Sequence, residues 1–377
     1  MWRFFGMLLF VVNAASAACP VWPLVIAHRG ASGNLPEHTA AAYWLAMQQG
    51  ADFIEADLVP TKDGVLVSRH ENELSQSTNV ATLSQFAKRK SRKIIDGIEV
   101  EGWFSEDFTL AELRELKARE SKPELRPDSA AQNDRYPLIT LAEIIQLVER
   151  FEQQSGRRVG LYLETKHPTY FRVEGRRLDG SLINQDISMM LLQQLSQWQR
   201  QADNPVYIQS FEISNLWWMH QQGLQQYQVK AKLIQLIGDM SGTSLYPASN
   251  FAEPWDLLGK TAREARQINP MLQQADFHYG QFFTAEGLKF LQSYADGIGP
   301  WKEQWFSQSQ PQRKVFLSAR SPLKVHPYTF RAEKTFLPAG VTDLTTELRQ
   351  VFLQGIDGVF TDFTAIAVQS RAQACTN

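Results

Sequence analysis

The sequence predicts an α/β fold, a closed (βα)8 TIM-type barrel with an insertion after the second strand. Three observations predict it. Eight short runs rich in β-branched and aliphatic residues recur along the chain. Most are separated by stretches with helical periodicity. The 377 residues also suffice to bury one large core. Strands that alternate with helices build a parallel sheet, because a crossover helix returns the chain to the start of the next strand. Eight such units fit a closed ring; an open doubly wound sheet is the alternative.

Composition narrows the class. Hydrophobic residues make up 44% and charged residues 21%, as in ordinary folded proteins. A formal net charge of −2 gives no electrostatic footprint for nucleic acid. The opening "MWRFFGMLLFVVNAASAACP" has one positive charge, an apolar stretch and the small-x-small ending Ala15-Ser16-Ala17. It reads as a secretory signal peptide over residues 1–18, leaving residues 19–377 as an exported, most simply periplasmic, barrel. No later stretch approaches the roughly 18 consecutive apolar residues that a membrane span needs. Two cysteines remain, Cys19 and Cys375. In an oxidising compartment a bridge tying the two ends together is expected; lipid attachment at Cys19 is the alternative.

The elements follow in order. Residues 24–28 form a strand that ends in His28 and Arg29, followed by a turn with Gly30, Gly33, Asn34 and Pro36 and a helix over 39–49. The second strand, 53–58, leads into the turn signal Asp63-Gly64, which folds the chain back as a hairpin and brings His70 level with Asp57. Residues 71–137 break the alternation: they are rich in charge and contain "KPELRPDSAAQNDRYP", a loop composition. This insertion is expected to lie over the barrel mouth, with its basic cluster at residues 88–93 a solvated face. Strands are expected at 160–166, 206–211, 232–237, 296–300, 325–331 and 358–362, and helices at 141–154, 184–199, 213–222, 255–267 and 342–354.

Chemistry gathers at the strand ends. Glu55 and Asp57 are two apart on a strand, so their carboxylates share a face. Two acids on a buried face are costly unless a cation neutralises them. Glu164 and Lys166 repeat the spacing, with a mutual ion pair as the plain reading. His28, Arg29, Glu55, Asp57, Glu164, Lys166 and His70 together outnumber what packing needs. His167, His220 and His278 lack acidic company at ligand spacing and read as structural or surface residues. His326 and Trp301 follow strands, where mouth lining and core packing are both open. Phe211 sits at a strand end facing a substrate; Trp217 and Trp218 read as core or interface aromatics.

These segments also carry a resemblance. "AHRGASGNLPEHT", "IEADLVPTKDGVLVSRHE", "LYLETK", "VHPYTFR" and "GIDGVFTD" resemble the motifs of the glycerophosphodiester phosphodiesterase family, over about residues 24–363. The long insertion and "VHPYTFR" are most similar to its exported bacterial branch. Two departures stand out: His38 replaces the asparagine of "PENT", and Glu71 follows His70 where aspartate is common. The resemblance implies hydrolysis of glycerophosphodiesters to glycerol 3-phosphate and an alcohol. It implies His28 and His70 as a general acid/base pair, and Glu55, Asp57 and Glu164 as ligands of one divalent cation. Arg29 and Lys166 would hold phosphate oxygens, and Phe211 and Trp301 would contact substrate. Three carboxylates with no sulfur ligand suit a hard cation, Ca²⁺ or Mg²⁺. The expected partner is a small-molecule glycerophosphodiester; the sequence leaves oligomeric state open. Two rival readings stand beside this one, a phospholipase D-like activity on lysolipids and a non-catalytic surface binding protein.

Overall fold

A computed structural model describes residues 19–241, 252–307 and 322–376. The signal-peptide reading of residues 1–18 lies outside the described residues. Among the described residues there are eleven strands: β1 (Leu24–Ala27), β2 (Phe53–Pro60), β3 (Leu66–Ser68), β4 (Ser91–Ile95), β5 (Ile98–Gly102), β6 (Gly160–Thr165), β7 (Val206–Ser210), β8 (Lys232–Ile237), β9 (Gly297–Pro300), β10 (Lys324–Val325) and β11 (Gly358–Thr361). Eight of them run parallel in the order β10-β9-β8-β7-β6-β2-β1-β11. The ends of that row meet: Asp357 N donates to Val325 O (3.1 Å) and Phe330 N to Phe360 O (2.8 Å). The result is a barrel and not an open sheet.

The period of two along each strand sorts the interior into layers. Ile26, Phe53, Tyr162, Tyr207, Ile234 and Phe360 form one buried apolar cluster. Tyr162 and Tyr207 stack within it at 5.0 Å between ring centres. Two residues further along their strands come His28, Glu55, Glu164, Gln209, Leu236 and Asp362. A polar layer therefore sits on an aromatic floor, at the C-terminal end where barrels of this class place their chemistry. Gly160 makes room for the floor, since a Cβ there would lie 2.2 Å from the Phe53 ring. His326 belongs to this floor: it is fully buried, with Nδ1 3.0 Å from the Tyr162 hydroxyl. Alternate residues such as Val25, Ile54, Leu161 and Ile208 point outward into the main core under the helices.

Several expectations need correction. The insertion is no polar loop: it folds the β4–β5 hairpin and buries Phe86, Ile95, Trp103, Phe104 and Phe108 against Val59, Val67, Leu138, Tyr170 and Phe171. Its apolar residues lie too far apart in sequence to show a period, and they converge only on the barrel wall. The basic cluster is not simply solvated, because Lys93 is buried between Glu106 (2.8 Å) and Asp107 (2.7 Å). The strand expected at 325–331 pairs regularly only over β10 and continues as single bridges at Tyr328 and Phe330. The helix expected at 255–267 is two short turns, Trp255–Leu257 and Ala262–Ala265. The helix after residue 213 passes through a π-helical turn, Met219–Gly223. A final helix, Thr364–Cys375, packs its Cys375 against Cys19 in a disulfide with 4.7 Å between Cα atoms. Pairing of β1 with β11 brings the two ends together. Among the described residues no helix is long and apolar enough to cross a membrane.

Candidate active site

A cavity of about 840 Å³ opens over the polar layer. Its lining includes His28, Arg29, Glu55, Asp57, His70, Glu164, Lys166, Phe211 and Trp301, so every interior site residue expected from sequence faces one space. The insertion supplies further wall through residues such as Asn72, Asp96 and Lys122.

Glu55, Asp57 and Glu164 offer carboxylate oxygens that all lie within 4.8 Å of one another. Adjacent strands β2 and β6 make this possible, with Asp57 paired to Glu164 in register. Burial raises the Glu55 carboxyl well above its ordinary range, reinforced by Asp57 and Glu164. Burial also pushes Glu164 up to about 8, against the opposing pull of Lys166 3.1 Å away. Asp57 goes the other way: burial disfavours its charge, but Lys166 and a hydrogen bond from His38 hold it well below the usual range. Such a split is what crowded like charges produce when no cation is present. The chain also answers whether a cation fits here. Gln209 Nε2 donates to Glu55 (3.3 Å) and Glu164 (3.4 Å), while its buried Oε1 has no hydrogen-bond partner among the described residues. The three carboxylates form an all-oxygen donor set suited to a hard divalent ion.

The two cavity histidines are each anchored by a carboxylate. His28 Nδ1 lies 2.6 Å from Asp362 Oδ1, which fixes the tautomer with the proton on Nδ1 and the Nε2 lone pair available. Burial and the neighbouring Arg29 hold His28 down at about 3, so it is neutral at ordinary pH. Asp362 also accepts from Arg126 of the insertion and from Arg331 Nε (2.9 Å). His70 Nδ1 lies 3.0 Å from Glu71 Oε1. The hairpin register differs by one residue from the expected one: Arg69, not His70, lies opposite Asp57 and donates its N–H to Asp57 O (3.0 Å). His70 still reaches the cavity.

Arg29 adopts the left-handed conformation (φ +59) ahead of Gly30 (φ +85). That turn points its backbone N–H at Glu55 (2.7 Å) and its guanidinium at Glu37 (3.0 Å). Gly30 is required there, because a Cβ would meet the Ala42 carbonyl carbon at 2.7 Å.

Sequence reasoning missed several residues of the site. His38 is fully buried, with Nε2 3.0 Å from Asp57 Oδ2 and Nδ1 2.8 Å from both Tyr43 and Ser68. His167 is corrected from a residue without acidic company: Asp96 Oδ2 lies 2.6 Å from Nδ1 and Glu71 Oε2 3.0 Å from Nε2. Those acids are 71 and 96 residues away in sequence, so no local spacing could reveal them. Glu37 and Asp362 stood inside recognised motifs and could have been found by strand parity and the "PEHT" turn; Arg126 carried no signal. His220 is exposed and His278 caps a short helix through its Nδ1, as structural readings require. Trp217 packs on Phe290 and Tyr294.

Comparison with known proteins adds findings of three kinds. A family model described as the glycerophosphoryl diester phosphodiesterase family matches residues 28–366. A glycerophosphodiester phosphodiesterase of Arabidopsis thaliana is 31% identical, covering 91% of this chain and 84% of the relative. One from Haemophilus influenzae is 30% identical, covering 95% and 92%. Among solved structures, an Oleispira antarctica phosphodiesterase in complex with the product sn-glycerol-3-phosphate shares the fold at TM-score 0.54 and 19% identity, covering 93% of this chain and 96% of its own. A crystal structure from Silicibacter pomeroyi shares the fold at TM-score 0.58 with 16% identity, covering 95% and 96%.

Proposed function

The chain belongs to the glycerophosphoryl diester phosphodiesterase family, hydrolases of glycerophosphodiesters, and from that premise we propose a metal-dependent hydrolysis to glycerol 3-phosphate and an alcohol by two-histidine acid/base catalysis. The observation that carries this reading is the convergence of two carboxylate-anchored imidazoles, three carboxylates and two cations on one cavity.

Glu55, Asp57 and Glu164 would hold one divalent cation, Ca²⁺ or Mg²⁺, which when bound supplies electrostatic stabilisation of charge on the phosphoryl oxygens. Arg29 and Lys166 hold the remaining phosphate oxygens and orient the ester. One imidazole takes the proton of the glycerol hydroxyl next to the ester as that oxygen attacks phosphorus. The bond to the head-group alcohol breaks, and the other imidazole, which enters the step as the imidazolium, gives its proton to the departing oxygen. Water then opens the cyclic phosphate with the two roles reversed. Phe211 and Trp301 line the cavity and contact the organic part of the substrate. A substrate analogue lacking that hydroxyl yet cleaved at the normal rate would exclude this order of steps.

The leader-like residues 1–18 and the Cys19–Cys375 disulfide support export to an oxidising compartment, as in the exported bacterial branch of the family. Cell fractionation tests that placement. The activity is tested by incubating purified protein with glycerophosphocholine and measuring glycerol 3-phosphate. Turnover is expected with Ca²⁺ or Mg²⁺ and its loss with excess chelator. No turnover of any head group at saturating metal would leave only the binding reading.

A further inference from the structure

We propose that His167 is a positioning residue for His70, acting through Glu71 and braced by Asp96 at the tip of the insertion's hairpin. The proposal rests on the reading of His70 as an acid/base group. Four side chains form one continuous line: His70 Nδ1 to Glu71 Oε1 (3.0 Å), Glu71 Oε2 to His167 Nε2 (3.0 Å), and His167 Nδ1 to Asp96 Oδ2 (2.6 Å). Both ring nitrogens of His167 face carboxylates, so both must donate and the ring is an imidazolium. Glu71 thereby receives a donor on one oxygen and stays an acceptor on the other. A carboxylate 3.0 Å from Nδ1 favours the His70 tautomer with its proton there and with Nε2 as the reacting nitrogen.

One further observation supports this. His167 holds a left-handed backbone (φ +47), a conformation uncommon for a non-glycine residue and concentrated at functional positions. The cation persists well beyond neutral pH: burial disfavours it, but Asp96 and Glu71 outweigh burial and raise His167 to about 10.

The test uses the full chain with Ca²⁺ and glycerophosphocholine. His167→Gly tolerates the positive φ and opens a hole the size of an imidazole; His167→Asn keeps the φ but cannot reach Glu71. Both are expected to lower kcat by about 10–100-fold with KM within about twofold. Added imidazole should restore kcat in His167→Gly. Adding Glu71→Gln to either should cost little more, because both act along one line. A purely structural tether would instead give additive losses without imidazole rescue, and that result overturns the proposal, as does a folded His167→Asn with wild-type kcat. His70→Ala is measured alongside. Full activity there removes the underlying reading, whereas loss there with none in the His167 variants overturns the positioning role alone.

Discussion

Three donors meet one carboxylate at Asp362: the neutral His28 and the cations Arg126 and Arg331. Burial works against its ionisation, but Arg331, His28 and Arg126 hold it well below the usual carboxylate range. Asp362→Asn keeps the shape and presents an amide that no longer selects the His28 tautomer. We expect kcat to fall on the order of 10²–10⁴-fold while circular dichroism stays native; a smaller loss would show that the dyad does not set the proton's position. His38 makes a related point, since it stands where the family favours asparagine and still donates to Asp57, with Tyr43 and Ser68 behind it. His167 gives a pH dependence of stability. Its folded value of about 10 lies above the ordinary 6.5, so its ion pairs stabilise the fold fully below pH 6.5. That contribution declines as pH rises and is gone above about 10. The Tm difference between wild type and His167→Asn should therefore shrink from pH 7 to pH 10; a constant difference would contradict the assignment.

At the scale of elements, the β4–β5 hairpin joins the insertion to the barrel chemistry. Its tip is Asp96-Gly97, where Gly97 has φ +80 and faces the Trp255 ring. A Cβ there would lie 2.8 Å from that ring. Gly97→Val is thus strained twice, by roughly 1–3 kcal/mol, and should lift Asp96 away from His167. The expected outcome is a lowered kcat and faster protease cleavage between residues 91 and 102; unchanged proteolysis would show that the tip is not clamped. The hairpin itself was illegible from sequence. Its flanks are charged, and its buried residues, Ile95 among them, find their partners on Tyr170, Phe171 and other distant wall residues. By contrast β8 was legible to the residue, because in Lys232–Ile237 the pairs Leu233-Ile234 and Leu236-Ile237 are interrupted only by Gln235, close to the apolar run that a buried parallel strand demands.

At the scale of the molecule, the barrel is closed twice, by hydrogen bonds between the last two strands and by the disulfide between Cys19 and Cys375, 356 positions apart. A cross-link over so long a loop restricts the unfolded chain strongly, and its removal is expected to cost about 2–4 kcal/mol. Cys375→Ser should lower Tm under oxidising conditions and abolish any effect of reductant; an equal Tm with and without reductant in the wild type would show the bridge contributes nothing. The sequence by itself determined most strands of the barrel, the parity that aims His28, Glu55 and Glu164 inward, and the glycine-dependent turn at Arg29. These are local: a period of two and a steric limit on φ act within a few residues. Tertiary structure alone decided what stands behind each reacting group. Asp362 behind His28, His167 behind Glu71, and His38 behind Asp57 meet across 334, 96 and 19 positions. Burial is what turns those meetings into fixed tautomers and shifted charges, and burial exists only once the barrel has closed.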